Sequence, residues 1–348
     1  MVKSMNAAVA GLRTHQTRMD VISNNIANIN TWGYKARMAN FQDSLYTNLV
    51  TSSAGSTTAG NTGGVNASQI GYGSGVGSIS SNFTVGSGQY TGNSLDCMIN
   101  GPAFFIVGPF QRETNNGGGN GLTVDGDGKI QLEDPDEDAD GNYTGKTFPI
   151  GETSLTLSRV GIFTVDSNGY LVDANGNYVY GYDANPDYDE DQPADPKNSP
   201  ILYDKLVPIR LPEQEDAGGG AGGGAAADYE PIKMTTYTVG KDGTIVGVDR
   251  DKVPHVIGQL AVVLVQNPNG LEQDNGYLFA AGENAGDIYL TTSNAATGEI
   301  KSNYLEMSNV DLAYEISLMI TGQRGYQANT KMITVTDQML EELVNMKR

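Results

Sequence analysis

The stretch that decides the fold is residues 1–30, MVKSMNAAVAGLRTHQTRMDVISNNIANIN. Its apolar side chains recur at alternating intervals of three and four residues, which is the pattern of a helix that packs along one face. The recurring positions are Met5, Ala8, Leu12, His15, Met19, Ile22, Ile26 and Ile29. The pattern predicts a helix that begins near Lys3. Its end is expected between Asn28 and Gly33, because asparagine side chains compete for backbone hydrogen bonds and glycine favours a helix C-terminus.

The last forty or so residues hold the only other long helical pattern. One row recurs every seven residues and consists of Leu312, Met319, Tyr326, Ile333 and Leu340. A second row is half polar and consists of Ile316, Gln323, Thr330, Asp337 and Val344. A single amphipathic helix is marginally stable in water. The two terminal helices are therefore expected to meet each other, another chain, or both.

The composition excludes several classes of function. The chain has 348 residues, a formal net charge of -20 and 45 glycines, so it lacks the basic surface that binding to nucleic acid or an anionic membrane requires. No apolar run approaches the length of about 18 residues that a membrane span needs. The first thirty residues are interrupted by Arg13, His15, Arg18 and Asp20, which is not the pattern of a cleaved secretory signal. We expect no nucleic-acid partner and no membrane insertion.

The middle of the chain is predicted to be rich in β-strands from residue 79 onward. Residues 95–107 are predicted to form a strand, a tight turn and a second strand. The repeat DSNGYLV at 166–172 and DANGNYV at 173–179 predicts hairpins with type I′ turns at each Asn-Gly pair. Further strands are expected at 236–248, around a turn at 241–244, and in the apolar run at 258–266. Residues 44–80 are poor in charge and rich in Ser, Thr, Gly and Asn. Within them, GSTTAGNTGG at 55–64 is expected to be a loop or a segment ordered only by its neighbours, and the alternating glycines of 71–77 are expected to lie in an extended segment with close backbone packing.

These patterns predict an α+β fold with four segments. They are an N-terminal axial helix at 1–30, a linker at 31–78, a β-rich outer domain at 79–302 and a C-terminal axial helix at 303–348. Two polar excursions, at 110–147 and 183–230, are expected to interrupt the β-rich domain as surface loops or a small extra lobe.

Catalytic, cofactor and metal sites are not predicted. His15 lies on the helical row and His255 lies beside a proline in an expected loop, and neither has partners at motif spacing. The acidic run Asp136, Asp138 and Asp140 matches the first half of a calcium-binding loop, but its twelfth position is Thr147 instead of a glutamate. It is at best a weak calcium site, and a solvated acidic loop is the favoured interpretation. Cys97 is expected to be a core residue, and as the single cysteine it excludes an internal disulfide.

Motifs at both ends of the chain resemble those of one known family. The sequence NNIANINTWGYK at 24–35, followed by FQD at 41–43, is similar to the N-terminal signature of the bacterial flagellar axial proteins, which are the rod, hook and hook-associated subunits. The sequences SNVDL at 308–312, QRGYQAN at 323–329 and TDQMLEELVN at 336–345 resemble the C-terminal helix of that family. The resemblance covers roughly 100 residues at the two ends and extends more weakly into the middle.

The resemblance implies a fold and a function. The terminal helices are expected to pair as an axial coiled-coil domain, with the β-rich domain facing outward. The sequences LEMSNVDL at 305–312 and QRGYQAN at 323–329 are more similar to hook than to rod subunits, which implies a subunit that polymerises into a curved, flexible tube and transmits motor torque to the filament. The distal rod protein is the alternative within the family. Outside it, an acidic extracellular adhesin or calcium-binding surface protein would explain the composition but not the terminal motifs.

The resemblance also implies partners and an interface. Expected partners are further copies of the chain as a homopolymer, the distal rod protein, the hook cap, the hook–filament junction proteins and the flagellar type III export apparatus. The expected location is extracellular, in the hook and basal body of the flagellum. The residues predicted to form the assembly interface are Met5, Leu12, Met19, Ile22, Asn25, Ile26, Asn28, Gly33, Tyr34, Leu312, Met319, Tyr326, Ile333, Leu340 and Leu343.

Overall fold

The computed structural model describes residues 2–54, 63–109, 123–124, 130–131, 146–147, 155–185, 201–211, 234–249, 252–274, 276–293 and 297–346. The acidic run at 136–140 and most of the two polar excursions lie outside these residues. The chain forms two compact units. The helical unit contains Met1–Asn30, Lys35–Asn82 and Asn309–Arg348, and the β unit contains Thr31–Tyr34 and Phe83–Ser308. The prediction of an α+β fold with helices at both ends is confirmed.

Two long helices belong to the helical unit. Helix α1 spans Val2–Ala27, close to its predicted bounds, and helix α2 spans Leu312–Met346. The predicted start of the C-terminal helix at residue 303 was too early, because Tyr304–Glu306 form a strand whose last two residues are buried. Neither helix is long and apolar enough to cross a membrane, within the part of the chain that the structure describes.

The helical unit also contains two antiparallel strand pairs. Strand β1 (Arg37–Asp43) pairs with β4 (Ser74–Ser81), and β2 (Tyr46–Val50) pairs with β3 (Ser68–Gly71). Most of the segment predicted at 55–64 to be a loop or to be ordered by its neighbours lies outside the described residues. The four strands on either side of it were not predicted, because they are largely exposed and lack the alternation of apolar and polar residues by which a half-buried strand is recognised. The extended segment with close packing at 71–77 is confirmed, since a Cβ at Gly73 would lie 3.1 Å from the Ala7 Cα.

Within its described residues the β unit consists of short strands and a 3₁₀ turn at Pro268–Gly270. The strands are β5 Gly88–Tyr90, β6 Cys97–Asn100, β7 Phe104–Gly108, β8 Thr123–Val124, β9 Ile130–Gln131, β10 Lys146–Thr147, β11 Thr156–Ser158, β12 Phe163–Val165, β13 Leu171–Asp173, β14 Tyr178–Ala184, β15 Ile201–Pro208, β16 Met234–Val239, β17 Thr244–Asp249, β18 Pro254–Leu260, β19 Val262–Val265, β20 Leu271–Gln273, β21 Leu278–Ala281, β22 Ile288–Thr291, β23 Glu299–Ser302 and β24 Tyr304–Glu306. All the described pairings are antiparallel.

Strand β7 lies at the centre of the β unit and pairs with β11, β14 and β19. Its side chains alternate between two hydrophobic clusters. Phe104 and Ile106 pack in one cluster, and Phe105 and Val107 pack in the other. Because both faces of β7 are buried, its sequence is a continuous apolar run instead of an alternating one.

The strand, tight turn and strand predicted at 95–107 are present as β6, the turn that follows it and β7. The described partner of β6 is β23 and not β7. The intervening turn is tied to the side chain of Arg159, whose Nη1 donates to the carbonyl oxygens of Gly101, at 2.7 Å, and of Ala103. A Cβ on Gly101 would also lie 2.3 Å from the Thr297 carbonyl oxygen. The backbone that follows β6 therefore packs directly against a segment that is distant in the sequence.

Arg159 and Glu306 form a buried ion pair in the β unit. The Arg159 Nε donates to Glu306 Oε2 at 3.1 Å, and each side chain is 1% exposed. Glu306 Oε1 also accepts a hydrogen bond from the Gly86 amide at 2.8 Å, and the Glu306 carbonyl accepts one from the Gly33 amide at 2.8 Å. The pair thus joins segments that lie far apart in the sequence.

The hairpin turns differ from the predicted type. Gly169 and Gly176 have positive φ, but neither Asn168 nor Asn175 does, whereas a type I′ turn needs positive φ at both central residues. Instead the amides of Gly169 and Gly176 donate to the carbonyls of Asp166 and Asp173, which closes a longer loop that ends on a left-handed glycine. The hairpin around 241–244 is confirmed, with Gly243 at φ +80.

Two further predictions concern single residues. Cys97 is 1% exposed, and burial raises the pKa of its thiol, so its assignment as a core residue is confirmed. His255 was expected in a loop but lies in strand β18, where it is opposite Gly247 of β17.

Candidate assembly surface

Helices α1 and α2 pack against each other in antiparallel directions through small residues of both helices. Cβ atoms placed on Gly322 and Gly325 would lie 3.4 Å from Met19 Cγ and 2.6 Å from His15 Cε1. Further along, a Cβ on Gly11 would lie 2.6 Å from Asn329 Nδ2. A Cβ on Gly11 or Gly325 would require the side chain of Asn329 or His15 to move, so glycine at these two positions allows the helices to approach closely.

The two helices and strand β1 meet at Asn25, which is fully buried. The Asn25 Nδ2 donates to the Arg37 carbonyl at 2.8 Å and to Glu315 Oε1 at 3.0 Å, and its Oδ1 accepts from the Arg37 amide at 3.0 Å. One side chain of the NNIAN motif thus fixes the path of the chain after α1 and its contact with α2. Asn28, also in that motif, is half-buried and donates to the Asn24 carbonyl at 2.9 Å.

Glu315 is buried beside Asn25, and its Oε2 has no hydrogen-bond partner in the described part of the chain. Burial raises the pKa of this carboxyl above its usual value, although the Asn25 hydrogen bond and the Arg18 charge oppose the shift. The folded helical unit therefore retains a proton that the unfolded chain releases near pH 4.5. This contribution to stability is present at low pH and is lost as the pH rises through the raised pKa.

We expect the substitution Glu315→Gln to stabilise the helical unit by about 1 kcal/mol at pH 7. It should also remove the decrease in stability that occurs as the pH rises through the raised pKa of Glu315. Glutamine keeps the oxygen that accepts from Asn25 but carries no charge. The measurement is thermal loss of the helical circular dichroism signal between pH 4 and pH 8. The exposed control Glu341→Gln should leave the pH dependence unchanged, and an unchanged profile in Glu315→Gln would contradict the assignment.

The start of α2 is positioned by the SNVDL motif. Asn309 Nδ2 donates to the Asn82 carbonyl at 2.8 Å, and Asn309 Oδ1 accepts from the Ala36 amide at 2.8 Å. Asp311 Oδ1 accepts from the amide of Ala313 at 2.9 Å, which satisfies an unpaired donor of the first helical turn. The motif therefore connects the start of α2 to the residue before β1 and the residue after β4, which lie opposite each other at one end of that strand pair.

Much of the remaining surface of the helical unit is apolar. On α2 the exposed large apolar residues are Leu312, Tyr314, Ile316, Ile320, Tyr326, Met332, Val335, Met339, Leu343, Val344 and Met346. On the strand segment they are Met38, Phe41, Leu45, Tyr46, Leu49, Val50, Val65, Ile70 and Ile79. An apolar surface of this extent on one small unit is typical of a protein–protein interface.

The far end of α2 extends past α1. The contacts pair Asn25 with Glu315, His15 with Gly325 and Gly11 with Asn329. The two antiparallel helices therefore keep a constant register, in which each residue nearer the start of α1 lies opposite a residue equally nearer the end of α2. Continued to Val2, this register reaches α2 at about residue 338, and α2 extends about 12 Å further to its end. Leu343, Val344 and Met346 in this overhang are 47%, 68% and 82% exposed.

The structure distributes the predicted interface residues over three environments. Ile22, Asn25 and Gly33 are buried within the chain; Met5, Leu12, Met19, Ile26, Asn28, Tyr34, Met319, Ile333 and Leu340 are half-buried; Leu312, Tyr326 and Leu343 are exposed. The buried residues form contacts within their own chain. A second copy could contact only the half-buried and the exposed residues. Met319, Ile333 and Leu340 of the sevenfold row are half-buried, and Gly322, Gly325 and Asn329, which lie outside that row, contact α1.

Gly33 belongs to the β unit and not to the helical unit. Its φ is +65, and a Cβ there would lie 2.6 Å from Val160 Cγ2. The glycine of the TWGYK sequence is thus required by local backbone conformation and by close packing. The neighbouring Trp32 is half-buried.

Comparisons with known proteins agree with the terminal motifs. Residues 5–35 match the model of the flagella basal body rod protein family, and residues 301–346 match that of the C-terminal region of the flagellar basal body rod FlgEFG proteins. The flagellar basal-body rod protein FlgG of Bacillus subtilis is 30% identical to this chain over 351 aligned positions that cover 100% of both proteins. The chain belongs to the flagellar rod and hook protein family. The first match contains most of α1 with Asn25, and the second contains α2 with Glu315.

Other members of the family are similar over their whole length. The flagellar hook protein FlgE of Borreliella burgdorferi is 29% identical over 445 aligned positions, covering 100% of both chains. The rod protein FlgG of Caulobacter vibrioides is 26% identical and is covered over 97% of its length. Family members of this kind are structural proteins of the flagellum, and neither matched family is catalytic.

Proposed function

We propose that this chain is a structural subunit of the bacterial flagellar hook, which polymerises into a curved, flexible tube outside the cell and transmits torque to the filament. The observation that supports this most directly is the exposed apolar surface of the helical unit, which extends over most of α2 and the strand segment. Exposed apolar surface of this kind becomes stable when further copies bury it. Neighbouring α1 and α2 helices would then wind together as the axial coiled coil.

The same surface supports a non-closing polymer. The exposed face of α2 and the exposed strand segment differ in shape and composition, so a contact between them joins different patches of two copies. Heterologous contacts of this type produce open helical assemblies instead of closed dimers. In this proposal the chain is exported through the flagellar type III apparatus, and its neighbours are the distal rod protein, the hook cap and the junction proteins.

The distal rod protein is a second candidate, and one observation favours it. The alignment to the Bacillus subtilis rod protein spans 351 positions, close to the length of this chain, whereas the alignment to the Borreliella burgdorferi hook protein spans 445. The chain thus has the length of the rod relative. The sequence LEMSNVDL at 305–312 favours the hook.

A deletion strain separates the two functions. If the chain is the hook subunit, cells without it should assemble a complete rod that ends without a hook, and tubes of the purified chain should be curved in electron micrographs. If it is the distal rod protein, the rod itself should be incomplete and the tubes should be straight. A deletion strain with normal flagella and motility would contradict both.

A further inference from the structure

The exposed surface of α2 contains a row of three methionines. Met332, Met339 and Met346, the methionine row, are 52%, 44% and 82% exposed. They are seven residues apart, which is close to two helical turns, so they lie on one face of the helix. The other exposed large apolar side chains of residues 332–346 are two valines and one leucine. The methionine row thus supplies half of the large apolar side chains on this part of the surface.

The methionine row borders the side of α2 that faces α1. Asn329, whose side chain approaches Gly11 of α1, lies three residues before Met332. Thr336 is 2% exposed and lies between Met332 and Met339, four residues after the first and three before the second. Residues three and four apart are neighbours on a helix surface. A polar group added to the methionine row would therefore lie at the edge of the packed helix pair.

The sulfur of an exposed methionine is open to oxidation by hydrogen peroxide. One oxygen atom is transferred to the thioether, the O–O bond breaks, and the peroxide is reduced to water while the sulfur loses two electrons and becomes a sulfoxide. The product is polar, and burial of a polar group without a hydrogen-bond partner is unfavourable. Other sulfur atoms are shielded, since Met98 is 3% exposed and Cys97, the single cysteine, is 1% exposed. Peroxide should therefore change the surface of α2 and leave the core of the β unit intact.

We propose that the methionine row is an oxidation-sensitive switch: hydrogen peroxide converts it to sulfoxide in the free subunit, and the oxidised subunit does not join the tube. This inference rests on the proposed function, in which further copies bury the exposed surface of α2. Inside a tube those copies cover the sulfur atoms. Peroxide should therefore stop further growth and leave finished tubes intact. Methionine sulfoxide reductase, with a thiol as reductant, removes the oxygen as water and should return free subunits to the assembling form.

Peroxide treatment of the full-length chain before and after polymerisation tests the switch. Treated free subunits should carry sulfoxide at the methionine row, measured by mass spectrometry of their peptides, and should give at least tenfold less sedimented polymer. Incubation with the reductase should restore the yield. Tubes treated in the same way should remain sedimentable and should contain at least tenfold less sulfoxide at the row. Oxidised subunits that polymerise as well as untreated ones would overturn the switch while leaving the proposed function intact.

A leucine variant assigns the effect to the methionine row. Met332→Leu/Met339→Leu/Met346→Leu keeps apolar side chains of similar volume that peroxide does not oxidise. This variant should polymerise, and its yield should be the same with and without peroxide. A row variant as sensitive to peroxide as the native chain would overturn the switch, because the loss of assembly would then come from other residues.

The matched control removes the same number of methionines from the same unit. Met5→Leu/Met19→Leu/Met319→Leu changes three half-buried positions of α1 and α2 outside the methionine row. This variant should lose at least tenfold of its polymer yield after peroxide, as the native chain does. Resistance of the control equal to that of the row variant would overturn the assignment to the row.

Partial oxidation of the native chain keeps the test decisive if the leucine variant of the row forms no tubes. After brief treatment, polymer and unassembled chains are separated and their sulfoxide content is compared. It should be at least tenfold lower in the polymer at the methionine row, whereas the half-buried Met307 of the β unit should be oxidised equally in both fractions. Equal sulfoxide content of the row in both fractions would overturn the switch. If the untreated native chain forms no tubes, the proposed function fails, and this inference fails with it.

Discussion

Chains that carry Ile22→Asp and Ile26→Asp are expected to form no tubes, while their β unit remains folded. Ile22 is 3% exposed in the helical unit, and Ile26 is half-buried one turn further along α1. Loss of the buried isoleucine and burial of a carboxylate without a partner should together cost more than about 4 kcal/mol, which is enough to separate α1 from α2. Sedimentation and electron microscopy measure the tubes, and near-ultraviolet circular dichroism follows the β unit.

The control for this prediction uses the adjacent positions. Ser23 and Ala27 are exposed, so Ser23→Asp/Ala27→Asp adds the same charge to the same helix without burying it. This variant should assemble. If the isoleucine variant forms tubes after its export and solubility are verified, the pairing of α1 with α2 is not needed for assembly.

The substitution Arg159→Met is expected to destabilise the β unit by about 3–5 kcal/mol, because it leaves the Glu306 carboxylate buried without its charged partner. The Gly101 carbonyl, at 2.7 Å from Nη1, would also lose its donor. The free energy of unfolding of the β unit can be measured by urea denaturation followed by tyrosine fluorescence.

Two further variants identify the cause of the loss of stability in Arg159→Met. Arg210→Met removes an exposed arginine that stands over the Tyr170 ring at 5.8 Å, and it should cost less than about 1 kcal/mol. The double variant Arg159→Met/Glu306→Gln should be more stable than Arg159→Met alone, since it removes the unpaired charge and keeps an acceptor for Gly86. An Arg159→Met variant as stable as Arg210→Met would contradict the role of the ion pair.

The sequence predicted those parts of the fold that depend on local patterns. Helix α1 was predicted within a few residues, because Ile22 and its row repeat at helical intervals and asparagines follow. Strands β7 and β19 were predicted from short apolar runs, and both lie in the core of the β unit. The turn at Gly243 was predicted because its position requires a residue that adopts positive φ.

Contacts between distant segments could not be predicted in the same way. Arg159 and Glu306 are separated by 147 positions, and the only local sign of their pairing is a lone arginine inside the apolar sequence LTLSRVGIF at 155–163. The partner of β6 was not predicted for the same reason, since pairing with β23 joins Asn100 with Glu299 and Cys97 with Ser302, which are far apart in the sequence. Local periodicity contains no information on such pairings.

Part of the contact face of α2 was missed because it consists of glycine and polar residues. The sevenfold row directed attention to Leu312 and Tyr326, which are 43% and 38% exposed. Gly322, Gly325 and Asn329 also contact α1, and the two glycines allow the helices to approach closely. The QRGYQAN sequence that identifies the family contains two of these three residues, so the motif can be explained by packing within the chain.

The most direct test of the assembly core is electron microscopy of three purified chains under the same polymerising conditions. They are the full chain, a chain truncated after Gln338 and a chain without residues 218–227. The truncation removes the overhang with Leu343, Val344 and Met346, whereas the deleted residues, GGGAGGGAAA, have almost no side chain with which to form a fixed contact. We expect tubes from the full chain and the loop-deleted chain and none from the truncated chain. Tubes from the truncated chain, together with their absence from the loop-deleted chain, would show that the assembly core is not the pair of terminal helices.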